Sequence, residues 1–97
     1  MKRHLRAIQI PPDQYNILTE LAEECIDACV TAADDGTRIF RPDGSGHYDA
    51  MWTRDFCHLV EGAGDLVAPD EVLAAIDYLL ARQRNDGVMP DRVGADG

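Results

Sequence analysis

Apolar residues recur along this chain with a helical rhythm over three segments and lose that rhythm between them. From Asp13 to about Ala33, residues Leu18, Leu21, Ala22, Cys25, Cys29 and Ala32 return at helical spacing and predict a first helix. Asp34, Asp35 and Gly36 then supply a C-terminal breaker. Ile17, Ile26 and Val30 add a second apolar stripe, so this helix is expected to meet more than one neighbour. A second helix is predicted from Thr53, a suitable N-cap, with Phe56, Leu59, Val60 and Ala63 along its buried face and Gly62 and Gly64 weakening its end. A third starts at Pro69, a natural first helical position, with Asp70 and Glu71 in its first turn. Its buried stripe is Val72, Leu73, Ile76, Leu79 and Leu80; Arg82 and Arg84 complement its C-terminal end, and Asn85, Asp86 and Gly87 stop it.

The remaining segments carry less pattern. Residues 1–12 read as an arm, a strand or ordered extension that ends at the pair Pro11 and Pro12. Thr37 to Met51 forms a long loop with Pro42, Gly44 and Gly46, and Ile39, Phe40, Tyr48 and Met51 give it more apolar surface than a disordered segment holds. The tail VMPDRVGADG shows no period. The fold class predicted is all-α, built of antiparallel helical hairpins over residues 13–97. In such an arrangement short connections bring the loop before the second helix and the segment after the third to the same end.

Composition narrows the choice of partners. The chain has 97 residues, enough for one domain, and 45% are hydrophobic. Its 18 acidic and 9 basic residues give a net charge of -9, which disfavours nucleic acid and anionic membranes as partners. No apolar run approaches the roughly 20 residues of a membrane helix. The start MKRHLRAIQI lacks a long apolar stretch and a small-residue cleavage site, so a cytoplasmic location is expected. The three cysteines form no CxxC pair, and neither a disulfide framework nor a metal site is predicted. Cys25 and Cys29 read as small core hydrophobes. Cys57 and His58 are helical neighbours about 100° apart and cannot readily share a proton.

The chemistry concentrates between Gly44 and Phe56, in GSGHYDAMWTRDF. A large aromatic beside a guanidinium and a carboxylate suits a polyol, because the ring covers an apolar sugar face while the ions take hydroxyl hydrogen bonds. The competing reading of Trp52, Arg54 and Asp55 is a buried tryptophan and a structural charge pair at a helix start. Asp55, in the first helical turn, suits accepting hydrogen bonds. His58 either lines a pocket or is a hydrogen-bonded structural residue. Asp91 and Arg92 join this cluster if the helices alternate in direction, and are otherwise a solvated turn. Asp43, Ser45, His47 and Asp49 alternate as in a calcium loop, but Tyr48 stands at the sixth position and Arg54 at the twelfth, where glycine and glutamate are needed.

The segments YDAMWTRDF and NDGVMPDRV resemble the N-terminal part of the six-hairpin (α/α)-barrel glycosidases, the group that includes glucoamylase-like enzymes. The resemblance covers roughly Asp13 to Gly97, and three helices are about the first quarter of such a barrel. It implies that Arg54 and Asp55 hold sugar hydroxyls and that Trp52 shapes the same pocket. It also implies two further carboxylates, one protonating the glycosidic oxygen and one activating water, which match nothing in this chain. The expectation is thus the N-terminal portion of a glycoside hydrolase acting on an oligosaccharide or glycoside, without a cofactor. Trp52, Arg54, Asp55, Asp91 and Arg92 form the sugar-binding rim, and the apolar stripes are covered by copies of the chain or by the remainder of the barrel. The alternative is a stand-alone acidic helical module that binds a protein partner through the second stripe of helix one, without catalysis.

Overall fold

The segment that departs most from the helical pattern is the one on which the fold turns. In the computed structural model, which describes residues 11–96, the first helix α1 runs Pro12–Cys29 and gives way to a strand, β1 (Val30–Ala32). β1 pairs antiparallel with β2 (Arg38–Phe40) in the register Val30 with Phe40, Thr31 with Ile39 and Ala32 with Arg38. Asp34, Asp35 and Gly36, expected to stop a helix, instead close this hairpin. Gly36 adopts φ +87° and its N–H donates to Ala33 O at 2.9 Å, while the Ala33 N–H donates to Thr37 O at 2.7 Å. An Asp-Gly turn between β-prone residues is a strong hairpin signal, and β-branched Val30 and Thr31 favour leaving the helix.

Over the described residues the fold is therefore mixed α/β, three helices with two small antiparallel sheets, and the prediction of an all-α array of helical hairpins forming part of an (α/α) barrel is wrong. The second sheet pairs β3 (Met51–Trp52) with β4 (Arg92–Val93), drawing in the tail that carries no sequence period. Between them lie α2 (Thr53–Ala63), a 3-10 turn (Gly64–Leu66) and α3 (Pro69–Leu80). The expected arm falls largely outside the described residues; of it only Pro11 and Pro12 are seen, and Pro12 opens α1. Among the described residues no helix is long and apolar enough to cross a membrane.

The core forms where the hairpin meets α2 and α3. Ile39 and Met51 are fully buried, and Phe40, Phe56, Ala75, Tyr78, Leu79 and Val93 close around them. The Phe40 and Phe56 rings stack at 5.7 Å between centroids. Burying Ile39 and Met51 stabilises the fold by about 1.5–3 kcal/mol each. The buried face of α3 is rotated from the predicted stripe. Ala75, Tyr78 and Leu79 point inward, whereas Leu73, Ile76 and Leu80 are exposed. Tyr78 sets this rotation, because its hydroxyl donates to Gly94 O at 2.8 Å and draws that face against the tail.

Helix α1 differs in the same way. Ile26 is its single buried residue, Leu18, Leu21 and Cys25 are exposed, and Val30 belongs to β1. The predicted second stripe of Ile17, Ile26 and Val30 does not exist as one surface. With only Ile26 buried, α1 lengthens the molecule, which measures 49 × 26 × 23 Å with a radius of gyration of 15.0 Å. A compact chain of this length has about 12.5 Å.

The hairpin turn is pH-sensitive. The Asp35 carboxylate accepts the Thr37 N–H at 2.9 Å, and hydrogen bonding by the Thr37 side chain foremost, then by this N–H, holds its pKa below the ordinary 3.8. Because the folded value is the lower one, these bonds contribute fully above pH 3.8 and are lost as pH falls through the folded value. An acid titration followed by the Thr37 amide resonance is expected to show a midpoint below 3.8. Asp35→Asn abolishes that transition.

Candidate functional site

The site is assembled from three segments that meet at the start of α2: the loop 41–50, the strand–helix junction 51–58 and the tail 90–93. Arg41 anchors the first. Its backbone N–H and Nε both donate to Cys29 O, at 3.0 and 3.1 Å, and one terminal nitrogen reaches Ala28 O at 3.2 Å. Helix α1 has no basic residue in its last turn, so this guanidinium supplies the positive charge that the C-terminal carbonyls attract. Its other terminal nitrogen pairs with Asp49 at 3.3 Å and pulls the far end of the loop inward.

The loop is closed by its own side chains. Asp43 accepts the Ser45 hydroxyl at 2.8 Å and the Tyr48 N–H at 3.5 Å, and the Ser45 bond foremost holds its carboxyl below the ordinary range. Gly44 lies so close to α1 that a Cβ there would stand 2.9 Å from the Ala28 Cβ. Asp43 thus serves loop closure, and among the described residues no cluster of three or more His, Cys, Asp or Glu is placed to hold a metal ion.

The second joint brings the sequence-predicted rim together in part. Trp52 pairs with Arg92 across the β3–β4 ladder, and the guanidinium carbon sits 5.4 Å from the centre of the indole. Directly opposed residues of a ladder share one face of the sheet. Tyr48 meets Trp52 edge-on at 5.8 Å, and His47 meets Tyr48 edge-on at 4.9 Å. Thr53 locks the joint. Its N–H donates to Asp91 O at 2.8 Å and its hydroxyl to Pro90 O at 2.6 Å. The N-cap position belongs to Trp52 and not to Thr53 as predicted, because the threonine hydroxyl is committed to the tail.

Asp55 faces a different space. With Cys29, Phe40, Arg41, Phe56 and His58 it lines a groove of about 450 Å³ beside α2, to which Trp52, Arg54, Asp91 and Arg92 do not contribute. Asp55 is, among the described residues, the one acid lining that groove. Among the described residues Arg54, Asp55, Asp91 and Arg92 make no ion pair, so the structural Arg54–Asp55 charge pair is not formed there. His58 lines the groove with Cys29. The Cys29 thiol is pushed up by burial and then by the nearby Asp43 charge, with Arg41 opposing, which favours the protonated form over a nucleophilic thiolate.

Tyr48 and Asp49 lie within the stretch 44–56 singled out from the sequence, though not in its predicted rim, while Arg41 escapes that reading. The absence of a cation at the end of α1 marks a need that periodicity cannot match to a residue twelve positions on. Compared with known proteins, the chain matches no family model, no curated protein and no solved structure.

Replacing Arg41 tests the anchor. Arg41→Ala removes the side-chain donors to the Ala28 and Cys29 carbonyls, while Cys29 O keeps the backbone N–H of residue 41, and is expected to lower unfolding free energy by about 0.5–1.5 kcal/mol in urea titration. Arg41→Lys recovers little of this, since an ammonium cannot reproduce the forked geometry.

Proposed function

We propose that this chain supplies a sugar-binding rim to a glycoside hydrolase acting on an oligosaccharide or glycoside. The observation that carries this reading is the Trp52–Arg92 pair, 5.4 Å apart and edged by Tyr48 at the mouth of α2. An indole presents a flat apolar surface to the C–H face of a pyranose, and an adjacent guanidinium donates to its hydroxyls. Asp91 follows from the same ladder, while Arg54 and Asp55 extend the polar surface along the first turn of α2. Both Arg54 and Asp55 are exposed.

Role assignment within a hydrolase follows from carboxylate arithmetic. Cleavage of a glycosidic bond uses an acid that protonates the leaving oxygen and a second carboxylate that activates water or attacks carbon. Among the described residues the groove beside α2 offers a single carboxylate, Asp55. In this reading Asp55 accepts hydroxyl hydrogen bonds and the residues of the rim bind and orient sugar. The acid and base pair is not assigned to any residue of this chain.

Trp52 is the single tryptophan and therefore its own reporter. Titration of the whole protein with glucose-type oligosaccharides is expected to produce a saturable change in its fluorescence. In calorimetry, Trp52→Ala is expected to weaken binding at least about tenfold, the loss of one modest aromatic contact. Asp55→Ala weakens it too. Unchanged affinity in both variants, or no heat and no fluorescence change with any such sugar, sinks the reading.

A further inference from the structure

Helix α1 carries a face that the sugar rim does not use. Ile17, Leu18 and Leu21 are 56%, 50% and 51% exposed, although each is a residue that gains from burial. At 100° per residue, Ile17, Leu18, Leu21 and Cys25 fall within an arc of about 100°, away from the buried Ile26. Such an arc is the width of an ordinary helix-packing stripe. Ile26, the core-facing residue of α1, belongs to the buried cluster, and this strip lies outside it.

The neighbouring arc states what could cover it. Asp13, Glu20, Glu24 and Asp27 cluster within about 60° along one edge of the apolar strip. All four are exposed, and no lysine or arginine lies between Pro12 and Cys29. An apolar strip with a single-sign edge selects a partner with an apolar strip and the opposite charge beside it. A second copy brings no basic residue on this helix to meet the acidic edge.

We infer that this face of α1 docks a basic amphipathic helix of a partner protein, its apolar side on Ile17, Leu18 and Leu21 and its lysines or arginines along Glu20, Glu24 and Asp27. The inference is independent of the sugar rim, which lies at the start of α2.

The test uses the complete chain and a labelled helical peptide of alternating leucine and lysine faces, with a leucine and glutamate counterpart as control, read by fluorescence anisotropy. Saturable binding of the lysine peptide alone is expected. Leu21→Asp is the decisive variant, because it adds negative charge while removing apolar surface. Docking on the strip predicts at least about tenfold weaker binding, whereas simple charge attraction predicts tighter binding and overturns the inference. Glu20→Lys with Glu24→Lys weakens the lysine peptide and leaves an exposed edge altered without touching the core. Trp52→Ala leaves the affinity unchanged. Equal binding of both peptides, or none, rejects the proposal, as does a concentration-dependent dimer in sedimentation that Leu21→Asp dissolves, which would give the face to a second copy.

Discussion

Everything near the site depends on the Arg41 guanidinium at the end of α1. A helix that ends against a strand leaves its last carbonyls without intrahelical partners. Arg41 meets the Ala28 and Cys29 carbonyls while pairing with Asp49. One side chain thereby fixes the end of α1, the start of the loop and its return toward Ala50. Since the side chain is mostly buried, its ion pair is less exposed to screening than a surface pair, although Asp49 itself is exposed.

The second dependency is the ladder between residues 51–52 and 92–93, which joins positions about forty apart in sequence. Two residue pairs make a weak sheet in isolation. Buried Met51 and Val93 on one face, and the two Thr53 bonds to Pro90 and Asp91, supply what strand pairing alone lacks. Because neighbouring residues of a strand point to opposite faces, burial of Met51 and Val93 sends Trp52 and Arg92 outward. The aromatic and cationic ledge is thus a consequence of the core beneath it.

The three helices were legible because each offers about three turns or more of apolar spacing, and for α3 Pro69 marks the start as well. The strands were not, being two or three residues long and too short for a period of two to declare itself. The Asp34-Asp35-Gly36 turn was visible, but the same residues serve as a helix stop or a hairpin turn, and only the pairing of Val30 to Ala32 with Arg38 to Phe40 decides between them. The faces of α1 and α3 were misread for a related reason. Both helices carry more apolar residues than one face can hold, so periodicity names a stripe without saying which stripe has a neighbour; Tyr78 makes that choice for α3 through its bond to Gly94. Within the site, the nearness of Trp52 and Arg92 followed from element order, while the separation of Asp55 into the groove did not.

That separation bears on what a ligand at this end of the molecule would meet. Trp52 and Asp55 are three residues apart at the start of one helix, yet the first belongs to the ledge with Arg92 and the second to the groove with His58. A ligand touching both must cross the first turn of α2, where Arg54 is exposed. An extended molecule with an apolar face and many hydroxyls can bridge such a divided surface by stacking at one end and donating to a carboxylate at the other. A small compact ion meets only one half of it. Under the proposed sugar-binding reading, such geometry favours length and hydroxyl spacing over charge.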